Sequence, residues 1–245
     1  LIQDFPGNTE IFETVSIQGG VSYFLWDRDY EGPCEFNGIQ RDIGEFDVLV
    51  RDNTAHQILK KVLAKHTGEF CNKKVLSRKP FGLRTFFKDW VSEGTPGSVK
   101  CYCAKKDGFE KWVDTNVITD LHGVMGKWKV LTAPVTYEGS SFSGGKRQLF
   151  TKIFVAGKGS VCIETYIVVG SFNTKGEAEK YLEYMKTKFY RFMLSLRVIS
   201  QHMARGCFGW VPDLGNYSHV YTDEELYQHF GLTKKEIEHI ERTIK

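Results

Sequence analysis

Apolar positions along this 245-residue chain change their period as the chain proceeds, and each change marks an element. The run Val21-Ser-Tyr-Phe-Leu-Trp26 is aromatic and β-branched, follows Gly19-Gly20 and leads into a polar turn over 27–33, so it predicts a strand. Phe46-Asp-Val-Leu-Val50 predicts a second. The spacing then becomes helical: Ile58, Leu59, Val62 and Leu63 share one face through about residue 66, while Lys60, Lys61 and Lys65 fall on the others. Asn53 or Thr54 is the expected N-cap, and Gly68 the expected stop.

Residues 70–170 predict a β-rich module with many turns, with strands over 99–104, 128–131, 149–156 and 161–169. Between the second and third of these, residues 137–147 are dominated by Gly and Ser and end in Lys146-Arg147, which predicts a mobile surface loop. Thr174 with Glu177 forms a capping box. Ala178, Leu182, Met185, Phe189, Phe192, Leu196 and Ile199 then keep helical spacing, which predicts one long helix over 174–200. Thr222 with Glu225 and Thr233 with Glu236 repeat the capping signal on either side of Gly231, so two short helices close the chain. The expected fold class is α+β: a β-hairpin, an antiparallel β-rich module, a long helix and a small helical C-terminal part.

Composition is that of a globular chain, with 41% hydrophobic and 26% charged residues, and no apolar stretch is long enough to span a membrane. The first residues, Leu1-Ile-Gln-Asp4, do not read as a secretory leader. Six scattered cysteines without a C-x-x-C pair suit a reducing, cytoplasmic setting better than a disulfide scaffold. The formal net charge of +3 hides strong segregation. Residues 1–53 carry 11 acidic and 3 basic side chains, residues 54–106 carry 3 and 12, and residues 146–212 carry 4 and 11. Clustered Lys and Arg displace counterions from a phosphate backbone, so nucleic acid is the partner such blocks suggest, against the alternative of pairing with the acidic flanks.

Catalytic signatures are absent from the sequence. There is no zinc spacing, no phosphate-cradling glycine loop, no G-x-G-x-x-G and no nucleophile elbow. Cys101 and Cys103 share a strand face and are expected in the core. Pro212-Asp213 lacks the following Glu-x-Lys of a nuclease metal site.

Several stretches carry a family likeness. Phe5-Pro-Gly-Asn-Thr-Glu-Ile-Phe12 and Ile17-Gln-Gly-Gly-Val-Ser-Tyr-Phe-Leu-Trp-Asp-Arg-Asp29 resemble the tail of the catalytic domain in bacterial N6-adenine DNA methyltransferases of restriction-modification systems, including fused type IIG restriction enzymes. Lys79-Pro-Phe-Gly-Leu-Arg-Thr85 resembles the entry to that family's target recognition domain. Val161-Cys-Ile-Glu-Thr-Tyr-Ile-Val-Val-Gly170 and Tyr184-Met-Lys-Thr-Lys-Phe-Tyr-Arg-Phe192 are similar to its later strand and helix. Residues 222–233 and 237–244 are similar to its C-terminal tail. The likeness implies terminal strands of a truncated methyltransferase domain over 1–53, a target recognition domain over 54–212 and a helical tail over 213–245. The family's S-adenosylmethionine loop and Asn-Pro-Pro-Tyr motif do not occur here. The likeness therefore implies no cofactor and no catalytic residue in this chain, with S-adenosylmethionine and adenine methylation belonging to an N-terminal catalytic half.

Duplex DNA is the implied partner. Base edges are read by Arg, Lys, Asn and Gln, and phosphates are held by Lys and Arg. The expected base readers are Arg84, Lys146, Arg147 and Gln148. The expected phosphate contacts are Lys79, Lys88, Lys188 and Arg191. Phe81, Phe86 and Phe87 beside the first block are expected in the core rather than as stacking platforms. An alternative from another class is a protein-interaction module that docks onto a separate methyltransferase or nuclease subunit through the Phe189, Phe192 and Leu196 face of the long helix.

Overall fold

A computed structural model describes residues 1–5, 11–12, 20–136, 146–200 and 202–245. The fold is α+β, with three sheets and a helical C-terminal part among the described residues. The first sheet combines β1 (Ile2–Phe5), β2 (Val21–Phe24), β3 (Cys34–Phe36) and β4 (Ile39–Arg41) in the order β2-β1-β3-β4. It is more than a hairpin, because β3 lies parallel to β1. Asn37 and Gly38, at φ 47° and 76°, make the tight turn between β3 and β4, which needs two left-handed residues to match the strand twist. Asn37 also accepts the Asp4 N–H at 2.7 Å, and Arg51 grips the Asp4 carboxylate with two bonds of 2.8 Å.

The expected strand over 46–50 does not form. That stretch is irregular, because Phe46 turns into the core against His56 and Trp210, with ring centroids 5.5 Å from each. α1 (Asn53–Lys65) follows, capped by Asp52 rather than by Asn53 or Thr54: the Asp52 carboxylate accepts the Ala55 N–H at 2.8 Å.

The β-rich module consists of two sheets and is mixed rather than wholly antiparallel. β5 (Trp90–Val91), β6 (Ser98–Tyr102), β7 (Glu110–Asp114) and β10 (Val161–Cys162) form one sheet in the order β10-β6-β7-β5, with β10 parallel to β6. β8 (Trp128–Thr132), β9 (Ile153–Ala156) and β11 (Ile167–Phe172) form the other, in the order β11-β8-β9. The run 161–169 is thus two strands. A turn closed by the Tyr166 N–H on the Ile163 carbonyl at 3.1 Å separates them.

The β11-β8-β9 sheet is the wall between two cores, and strand alternation assigns its residues to them. Val130, Ile167 and Val169 face the larger, helix-bearing core. Leu131, Val168 and Ala156 face the smaller core with Phe81, Leu83, Cys101, Cys103 and Cys162. All six cysteines are free. Gly170 sits at a bulge in β11. A Cβ there would lie 2.8 Å from the Phe172 ring and 3.0 Å from that of Tyr181, so the close seating of these rings on the sheet requires glycine.

The expected long helix is broken in two, α2 (Lys175–Lys186) and α3 (Lys188–Ser195). Thr187 stands at ψ 149° and serves both ends: its hydroxyl donates to the Tyr184 carbonyl at 2.7 Å and accepts the Tyr190 N–H at 3.1 Å. Asp223 adds to the α3 N-terminus, accepting the Lys188 and Phe189 N–H groups at 3.0 and 2.8 Å. Phe189 and Phe192 are fully covered and Leu196 packs against them, so the helix face proposed for docking is core. The three capping boxes form as expected, at the starts of α2, α4 (Asp223–His229) and α5 (Lys234–Thr243). The larger core runs without a break from Val50 through Val211 and Tyr217 to Ile244, so the boundaries expected at 53/54 and 212/213 do not separate independent cores.

Candidate nucleic-acid interface

Two groups of cations stand out, each positioned by a specific piece of backbone. The first lies on the loop between residues 77 and 89. Phe81 and Leu83 are buried anchors, and Lys79 and Gly82, at φ 60° and 77°, turn the chain sharply on either side of Phe81. The Glu164 carboxylate locks the loop tip: it accepts the Thr85 N–H at 3.1 Å and the Thr85 hydroxyl at 3.2 Å, with Arg78 3.6 Å away. The Thr85 N–H, with Arg78 and Lys79 nearby, holds this carboxyl below the ordinary carboxylate range. Arg84 and Lys88 are exposed on this loop, and Lys79 is half-buried beside it. Among the described residues none of the three enters an ion pair.

The second group surrounds the C-terminal residue of the chain. Segment 146–148 forms a parallel bridge with the end of α5: the Arg147 N–H donates to the Thr243 carbonyl at 2.7 Å, and the Lys245 N–H donates to the Arg147 carbonyl at 3.2 Å. In an extended segment alternate side chains oppose one another. Arg147 therefore turns inward, donating to the Ser195 carbonyl at 3.0 Å, and burial lowers its guanidinium pKa to about 10. It lines an inner cleft of about 380 Å³ with Leu49, Phe192, His239 and Arg242.

On the opposite side, Gln148 joins Phe150, Lys152, Lys186, Arg191 and Lys245 around an open cleft of about 490 Å³. No Asp or Glu lines it among the described residues, although Lys186 pairs with Glu183 at 2.7 Å. Arg191 is oriented by the Thr187 carbonyl at 3.2 Å and the Lys245 carbonyl at 2.8 Å, and Lys245 reaches the Gln148 amide oxygen at 3.3 Å. Lys152 sits 3.0 Å above the Phe109 ring. Burial and the neighbouring Lys105 push its ammonium pKa down.

Of the eight residues expected from sequence, the structure brings Gln148 and Arg191 together in this cleft, leaves Lys146 exposed outside its lining, and keeps Lys79, Arg84 and Lys88 together on their own loop. Arg147 faces the interior, and Lys188 is held in an ion pair with Glu241. Sequence reasoning missed Lys152, Lys186 and Lys245. The alternation Lys146, Gln148, Phe150, Lys152 was the available signal for the first of these. The Gly/Ser stretch 137–145 lies outside the described residues.

Asp213 is occupied by Lys74 at 3.0 Å and the Tyr217 hydroxyl at 2.7 Å, and no group of metal-ligating side chains occurs among the described residues. No helix among them is long and apolar enough to cross a membrane. Comparison with protein-family models, curated proteins and solved structures gives no match to this chain.

Proposed function

We propose that this chain is the DNA target recognition part of a restriction-modification adenine-specific DNA methyltransferase. The observation that carries the reading is the cleft lined by Gln148, Lys152, Lys186, Arg191 and Lys245, with no Asp or Glu in its lining among the described residues, which presents the charge that a phosphate backbone requires. The cationic loop 77–89 and the motif likeness add to it. The chain contains no Asn-Pro pair and no glycine loop for S-adenosylmethionine, so methyl transfer is assigned to a catalytic partner in the cytoplasm and no chemical step to these residues.

A second observation favours a docking role beside DNA binding. Tyr23 and Phe24 of β2, with Leu25, Trp26 and Tyr30 just after it, are all exposed, and exposed apolar side chains on this scale mark protein interfaces. In this reading that face, rather than the helix 189–196, meets the catalytic or nuclease subunit.

A salt titration of binding to a random-sequence duplex pool, followed by sequencing of the bound fraction, tests the proposal. Steep loss of affinity with salt and enrichment of a short motif are expected. Lys88→Ala should weaken all sequences alike and lower the salt slope by about one. Absence of binding at low salt would overturn the recognition role and leave the docking one.

A further inference from the structure

Three aromatic residues flank the first cationic loop, and the structure separates them sharply. Phe81 is fully buried, Phe87 packs edge-on against Trp90 at 4.8 Å, and Phe86 is 69% exposed. Exposure of a single Phe is ordinary on a protein surface; its setting here is not. Phe86 stands one residue beyond Thr85, whose backbone N–H and hydroxyl are both fixed by Glu164. The turn that carries it is closed by the Phe87 N–H on the Arg84 carbonyl at 3.1 Å, and the Leu83 carbonyl accepts the Glu164 N–H at 3.0 Å. The ring is thus presented on a tethered turn rather than on a free tip. Arg84 lies 5.8 Å from its centroid, and Lys88 is exposed two residues further on.

We propose that Phe86 is an aromatic wedge that enters the base stack of duplex DNA, with Arg84 and Lys88 holding the phosphates on either side. This rests on the DNA-recognition reading above and extends it to a mode of contact. An apolar ring costs free energy to expose to water and gains stacking when inserted between base pairs, and flanking cations hold the backbone while the step opens. A protein-docking role for the same ring is the competing outcome, and the exposed cations beside it, in no ion pair among the described residues, favour the polyanion.

The test compares the full chain with Phe86→Ala, Phe86→Trp and Lys88→Ala, on a mixed-sequence duplex carrying a fluorescent adenine analogue that brightens when unstacked. Wild type is expected to bind and brighten the probe. Phe86→Ala should lose about 10- to 100-fold in affinity, keep the wild-type salt slope and lose the signal, while Phe86→Trp retains both. Lys88→Ala should do the reverse, lowering the slope and retaining the signal. The exposed position predicts an unchanged Tm for every variant. Wild-type affinity and signal in Phe86→Ala would overturn the wedge while leaving DNA recognition standing, and would make Phe86 a candidate protein contact. Failure of the wild type to bind any duplex would overturn both.

Discussion

In the N-terminal sheet Phe24, Leu25 and Trp26 stand with about three quarters of their surface in solvent, whereas in the β-rich module Tyr102, Phe109, Phe154 and Tyr166 close on one another with centroids 4.9 to 6.2 Å apart. Both regions are short strands joined by tight turns, so propensity does not separate them. What separates them is a second layer. The module has a core of its own and shares the β11-β8-β9 wall with the helices. The N-terminal sheet contributes Phe36 to the interior and is attached mainly through polar ties, Arg51 to Asp4 and Arg41 to Asn53. A sheet that buries little of its own apolar surface has its stabilising partner elsewhere.

The largest effect expected is inside the module. Lys129 is fully buried in β8, and its ammonium serves the carbonyls of Val124, Met125, Lys127 and Gly157 at 2.7 to 3.3 Å. Burial lowers its pKa to about 8, which leaves it protonated at neutral pH and able to join the 124–127 turn to the 157–160 turn. Lys129→Met fills the same space but removes the ammonium from all four carbonyls, of which those of Val124, Met125 and Gly157 keep a second donor, a loss on the order of 2 kcal/mol. Urea unfolding measures it. A change below about 1 kcal/mol, within the range of a surface substitution, would mean the cage contributes little and would narrow the contrast between the two regions.

Much of this organisation is legible in sequence where the signal is local. The three Thr-x-x-Glu boxes mark helix starts because each closes within one turn. The break at Thr187 is hidden because Met185, Phe189 and Phe192 keep an apolar rhythm across it and all end up buried; a capping threonine inside that rhythm reads as an ordinary helical residue. β7 escapes because Glu110-Lys-Trp-Val-Asp114 has little apolar alternation and takes its place by pairing with β6. The same limit governs the candidate site. Lys146, Arg147 and Gln148 are visible as a polar cluster, but their separation into outward and inward side chains is set by residues 243–245, nearly 100 positions later.

A middle-sized effect is expected where the helices are joined. Glu236 caps α5 through the Thr233 N–H at 2.7 Å and reaches Lys61 of α1 at 2.8 Å. Burial pushes its carboxyl pKa up, but Lys61 and Thr233 outweigh that and leave it below the ordinary range. A carboxylate depressed in the folded state contributes stability that is complete above its unfolded value, and that stability is lost as pH falls through the folded one. Glu236→Gln should cost about 1 kcal/mol at neutral pH, and the difference from wild type should shrink as the pH falls below the ordinary glutamate range. A difference that does not vary with pH would show that the cap, not the charge, carries the tie.

The smallest effect on stability is expected in the N-terminal sheet, and it is the sharpest test of the contrast. Phe24→Ser with Trp26→Ser removes two large rings that are 73% and 72% exposed. Buried in a core, such rings would cost several kcal/mol to remove; here each change is expected to stay within about 0.5 kcal/mol. The same double variant should raise the concentration at which the chain sediments as a monomer, because an uncovered aromatic edge strand invites pairing with other chains. A large drop in Tm would show that these rings already have a partner within the folded chain. Unchanged Tm with unchanged self-association would remove the argument that this face awaits a protein, and with it the docking role beside DNA recognition.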